Sequence, residues 1–164
     1  MSTSPLPHHR AGARVALVLI LLAASRGGVH AGLETEFEKF IGRQAAQVVS
    51  ETFGTEGDPL LLDWVRRVGA RVSAAAPRHD VRYRFFIVEM SEPNAVALPG
   101  GYIFVTKGLL EFVNDDDELA AILAHEVGHV VGRHAMGHIK RQLLASLLIG
   151  AVQENAGDMM GTAA

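Results

Sequence analysis

The sequence contains no cysteine. That absence excludes disulfide staples, thiol catalysis and cysteine metal sites, and it leaves no residue for lipid attachment at a lipoprotein cleavage site. Among the soft metal ligands only histidine remains. A basic surplus is also lacking: 15 Lys and Arg against 18 Asp and Glu give a net charge of −3, which provides no electrostatic footprint for nucleic acid. Long apolar runs are missing too. A spanning helix needs roughly twenty apolar residues, whereas Val15 to Ala24 and Leu143 to Val152 each offer about half that. No internal repeat or low-complexity segment is visible. What is present, 49% hydrophobic and 20% charged among 164 residues, is the make-up of about one folded domain.

The first 31 residues read as a leader rather than as part of the fold. Arg10 and Arg14 precede the apolar run, and Val29-His30-Ala31 gives the small-x-small pattern of a cleavage site before Gly32. A charged, then apolar, then cleavable order is that of a secretory signal peptide. The expected organisation is therefore a signal peptide at 1–31 and a folded domain at 32–164, in a periplasmic or secreted protein. An uncleaved segment anchoring the chain to the inner membrane is the alternative.

Helical spacing then alternates with breaks. From Leu33 to about Phe53 the apolar residues Leu33, Phe37, Phe40, Ile41, Ala45, Val48 and Val49 predict a helix buried on that stripe. Asp58-Pro59 reads as a helix start, and Leu60 to Ala76 predicts a second helix that buries Leu61, Trp64, Val65, Val68 and Val72. Val81 to Glu89, Ala95 to Leu98 and Tyr102 to Thr106 read as strands. With Pro99-Gly100-Gly101 as the turn between the last two, they suggest a small antiparallel sheet with an exposed edge. Asn114 or Asp115 caps a further helix, with carboxylates in its first turn where the helix dipole favours them. Its periodicity runs from Leu119 to about Gln142. Leu143 to Val152 predicts a packed helix.

On that helix lies His125-Glu126-Val127-Gly128-His129. Histidines four apart are separated by only about 40 degrees around the axis, so both rings point one way. Two neutral imidazoles so placed supply two ligands for zinc. Glu126 sits beside that position, where a carboxylate can take a proton from the attacking water and return it to the leaving amine. Gly128 leaves room for close packing. Catalytic zinc takes three protein ligands, and the third is not evident. On a continuing helix His134 and His138, each nine residues beyond a motif histidine, point roughly the opposite way. A metzincin arrangement places its third histidine where this chain has Ala135, and His134 is one residue early. Glu154, with Asp158 one turn later as its support, is a candidate. A ligand beyond Ala164 is the stronger expectation.

Three stretches together resemble a known family: Asn94 to Leu110, Asp117 to His129, and Arg133-His134-Ala135. They are similar to the gluzincins that include HtpX, BepA and the CAAX-prenyl endopeptidases, and the likeness reaches back to Gly42-Arg43-Gln44 and Trp64 to Gly69. The resemblance is greatest to secreted bacterial members. It implies an α+β, zincin-like fold in which the HExxH helix packs against the small sheet with flanking helices. It also implies zinc on His125 and His129, with Glu126 as general base, and substrate lying along the Asn94 to Leu98 strand as an added strand. Val96 stands where the family usually has phenylalanine. Family members take the third zinc ligand from a glutamate on a later helix, so the domain is expected to be incomplete at its C-terminal end.

The leading functional expectation is a zinc endopeptidase that cleaves unfolded or misassembled envelope proteins, with possible outer-membrane assembly partners. The contrasting one is a non-catalytic, chaperone-like module that holds such proteins on its sheet edge. Holding a client needs no general base, so Glu126 favours catalysis.

Overall fold

A computed structural model describes residues 28–55 and 57–146, with side chains from Gly32 onward. The leader up to residue 27 and the candidate ligand Glu154 with Asp158 lie outside the described residues. Contacts divide the chain into a leading unit, Met1–Phe37, and the unit Glu38–Ala164, to which the following packing belongs.

Helix α1 spans Gly28–Phe53 and α2 spans Pro59–Ala74. Strand β1 is Arg84–Val88 and β2 is Ala95–Leu98; a single turn of 3-10 helix, Pro99–Gly101, leads into β3, Tyr102–Thr106. A short helix α3, Lys107–Leu110, precedes α4, Asp116–Val131. Residues 134–146 are again helical. Among the described residues no helix is long and apolar enough to cross a membrane.

The α+β expectation holds, but the sheet is mixed rather than antiparallel. Its order is β1-β3-β2, with β1 parallel to β3 and β2 antiparallel to β3. The β2–β3 hairpin turns at Gly100, whose φ of 74° is the left-handed region that glycine enters without strain. The returning strand β3 then slots in beside β1 instead of leaving β2 next to it. Burial explains the order. Ile103, Phe104 and Val105 of β3 are all almost fully buried, as a strand needs to be when covered on both faces.

One face of the sheet packs Phe85, Ile87, Ile103 and Val105 against Val65 and Val68 of α2 and Leu119, Leu123, Val127 and Val130 of α4. Fully burying a side chain such as Leu119 or Leu123 contributes about 1.5–3 kcal/mol, so this seam fixes the HExxH helix to the sheet. Elsewhere Ala46 of α1 packs with Phe104 and Val88. Here the apolar stripe expected to be buried on α1 is the wrong one. Phe40 and Val48 are 55% and 61% exposed, whereas Glu38, Gly42 and Ala46 are buried. Two specific contacts outweigh the apolar pattern. Glu38 finds an arginine inside, and Gly42 lies so close to the Pro99 carbonyl that no larger residue fits.

Helix α4 also stops earlier than its periodicity suggests. Gly132 is its C-cap, donating to the Gly128 carbonyl at 2.9 Å. Arg133 then takes a left-handed φ of 51°, a common way for a helix to end but an uncommon one without glycine. The chain changes direction here before helix resumes.

Candidate active site

The site begins at the start of α4. Asp115 caps the helix by accepting from the Asp117 and Glu118 amides, both at 2.9 Å, and Glu118 reaches back to the Asn114 amide. Asp116 in the first turn is held by three groups of α2: Trp64 Nε1 at 2.7 Å, Arg67 at 2.9 Å and Arg71 at 3.2 Å. The Trp64 hydrogen bond first, then Arg67, holds the Asp116 carboxyl below its ordinary range. Helix α4 is thereby fixed at its start by polar contacts and along its length by the apolar seam.

Near its end the two histidines meet as their spacing requires. His125 Nε2 and His129 Nε2 lie 3.1 Å apart, with ring centroids at 4.7 Å and planes nearly perpendicular. Two ligands at zinc–nitrogen bond length on a tetrahedral centre are separated by about 3.3 Å, so this spacing fits a shared ion. Glu126, the next position around the helix from His125, is only 8% exposed. Among the described residues no hydrogen bond or ion pair reaches its carboxylate. Buried polar groups without partners are rare, and one in a folded protein calls for an explanation such as a catalytic role.

No third ligand joins the pair: among the described residues no group of three or more His, Cys, Asp or Glu could hold a metal ion. His134 is nevertheless close, and here the structure corrects the expectation that it points away. The turn at Gly132 and Arg133 brings its Nδ1 to 2.8 Å from His129 Nδ1. It meets the ring nitrogen of His129 other than the one that approaches His125.

That turn is clamped from behind. Arg78 donates to both Glu38 oxygens, at 2.9 and 2.7 Å, to Asp80 at 2.8 Å and to the Val130 carbonyl at 2.8 Å. Glu38 also accepts from the Gly100 amide at 3.1 Å, and Arg133 bonds Asp80 at 3.1 Å. Burial opposes the charge on Arg78, but the hydrogen bonds and Coulombic attraction of Glu38 and Asp80 outweigh it and raise its pKa above the ordinary value. One buried ion pair thus joins α1, the β2–β3 turn and the end of the HExxH helix. Beside it a narrow crevice is lined by Ala97 and Leu98 of β2 together with His129, Arg133 and Met136. Strand β2 is at the sheet edge, and its Ala97 and Leu98 share this crevice with His129.

The profile of Peptidase family M48 matches residues 59–163. The chain belongs to peptidase family M48. It carries a zinc-metallopeptidase domain of that family. It is 36% identical over 106 residues to the mitochondrial metalloendopeptidase OMA1 of Schizosaccharomyces pombe, covering 61% of this chain and 31% of that protein. It is 31% identical over 110 residues to a putative beta-barrel assembly-enhancing protease of Vibrio cholerae, and 28% identical to the beta-barrel assembly-enhancing protease of Escherichia coli. In both cases the match covers 61% of this chain and 23% of the relative.

The M48 fold accounts for the other motifs. In Trp64 to Gly69, Trp64 and Arg67 hold Asp116, Val65 and Val68 fill the core, and Gly69 makes room for the Phe85 ring. Val96 lies opposite Phe104 in the sheet and is 41% exposed, so the smaller side chain forfeits little buried area. The features that sequence reasoning missed are Glu38, Arg78, Asp80 and the approach of His134 to His129. Arg133-His134 was visible as part of the resemblance, but nothing in the spacing told which way His134 turns.

Proposed function

We propose that this M48 domain is the catalytic core of a zinc endopeptidase that cleaves unfolded or misassembled proteins of the cell envelope. The observation that carries the proposal is Glu126, a buried carboxylate without a partner, on the helix where two imidazoles face each other at 3.1 Å. His125 and His129 would hold the metal through Nε2, with the third ligand supplied from outside the described residues. When bound, zinc polarises the scissile carbonyl and acidifies water.

The chain's own residues do the rest. Glu126 takes the proton of the attacking water and passes it to the leaving amine, which needs a carboxylate kept from other partners. The outer edge of β2 offers backbone groups to an extended peptide, so any unfolded chain can be aligned with little regard to its side chains. A fixed helix keeps the reacting groups in register with that edge. Similarity to beta-barrel assembly-enhancing proteases supports envelope proteins as the substrates and assembly complexes as partners. The leader at 1–31 supports export, with cleavage before Gly32.

The test is Glu126→Gln in the full-length protein, assayed on an unfolded protein substrate with zinc present. Activity should fall by about 10²–10⁴-fold while zinc remains bound. A variant that cleaves at the wild-type rate would remove Glu126 from the chemistry and the proposal with it.

A further inference from the structure

We propose that His134 is a positioning residue for His129, and that the left-handed turn at Arg133 is the device that delivers it. The inference rests on the reading that His125 and His129 hold a metal. On that reading His129 uses Nε2, which faces His125 Nε2 at 3.1 Å, and its Nδ1 must carry the ring's proton. A ligating histidine is oriented by whatever accepts that proton, most often a carboxylate or a carbonyl. Here the atom in place is His134 Nδ1 at 2.8 Å, with the rings edge to face. His129 donates, His134 accepts, and the His134 proton sits on Nε2.

Three features hold His134 there. Arg133 keeps a φ of 51°, a conformation that a non-glycine residue adopts only when its surroundings enforce it. The enforcement is visible: its guanidinium bonds Asp80 at 3.1 Å and lies 3.7 Å from Glu38. Gly132 supplies the space, because a β carbon there would stand 2.5 Å from His134 Nε2. Without the turn, nine helical positions would carry His134 to the far side from His125. The buried pair of Glu38 and Arg78 therefore acts on the site through backbone direction, with Arg78 bonding the carbonyl of Val130, the residue after His129.

The experiment measures zinc dissociation by competition with a chromogenic chelator, the cobalt(II) absorption spectrum, and the thermal midpoint of the metal-free full-length protein. His134→Phe, which keeps the ring but removes the acceptor, should weaken zinc binding by about 10–100-fold and shift the cobalt spectrum. His134→Asn, whose side-chain oxygen can stand where Nδ1 was, should recover most of that loss. Gly132→Ala should displace the ring and weaken zinc as His134→Phe does. The inference is overturned if His134→Phe binds zinc as tightly as wild type, or if His134→Asn does no better than His134→Phe. The Asn comparison decides even where the Phe variant lowers the metal-free midpoint. His129→Ala separates the two levels. If it binds zinc like wild type, the reading of the site itself fails; if it loses zinc while His134→Phe does not, only the positioning role fails.

Discussion

One hydroxyl, that of Thr106, joins three segments of this chain. It donates to the Glu92 carbonyl at 2.7 Å, accepts from the Asn94 amide at 2.9 Å and caps α3 through the Leu109 amide at 3.1 Å. Thr106 is buried, so Thr106→Val keeps the shape and strands those partners. Stability should fall by about 2 kcal/mol, read as a lower urea midpoint at unchanged slope. Arg78 raises the stakes further. Replacing it with Met takes the bidentate partner from Glu38, 2% exposed, and leaves that buried charge to the Gly100 amide and the more distant Arg133. The expected loss is about 3 kcal/mol in the same assay. Residues of this kind are hard to read from sequence. Glu38 and Arg78 are 40 positions apart and follow no period, and each alone looks like a surface charge. His125, Glu126 and His129 are different, because their geometric relation is set by the helix they share. The structure brings the two imidazoles together as their spacing requires.

Among the elements, legibility follows how local the cause is. The caps of α2 and α4 could be read because Asp58 and Asp115 bond amides two or three residues ahead. The direction of β1 relative to β3 could not, since it depends on which strand the hairpin places in the middle. The buried face of α1 was misread because charge pairing and close backbone approach overrode the apolar stripe. The early end of α4 was missed because Gly132 inside a periodic run is tolerated in many helices; here a clamp from Asp80 makes it the end. The attachment of α4 to α2 also has a pH signature. Asp116 has a carboxyl pKa lowered by Trp64 and Arg67, so its ionised form favours the folded state. That contribution is complete above the unfolded carboxylate pKa of about 4 and is lost as pH falls through the lower folded value. The stability gap between wild type and Asp116→Asn should therefore be constant near neutrality and shrink below about pH 4, as acid-dependent urea melts would show.

For the whole molecule, metal and fold should be thermodynamically linked. Zinc that binds only the folded chain stabilises it, by about 2.7 kcal/mol at a hundredfold excess over the dissociation constant. Zinc should raise the thermal midpoint of wild type and of Glu126→Gln, a chelator should reverse the rise, and His125→Ala should show none. A Glu126→Gln protein that fails to respond would mean that this residue contributes to the metal site rather than to proton transfer. The family could be read from sequence because its motifs spread over much of the domain. The third ligand could not, because neither a second period nor a neighbouring residue points to it.

The Glu38 carboxylate also sets the order in which the molecule can finish folding. It is met by Arg78 40 positions later and by the Gly100 amide 62 positions later. Trp64 and Asp116 are 52 positions apart, as are Arg78 and the Val130 carbonyl. Links this distant in sequence delay the gain from closing each loop until most of the chain has been gathered. A fragment ending before α4 keeps Glu38 and Arg78 but lacks the surface that buries them. The polar clamp thus makes folding cooperative, so limited proteolysis should yield intact domain and small peptides, with little in between.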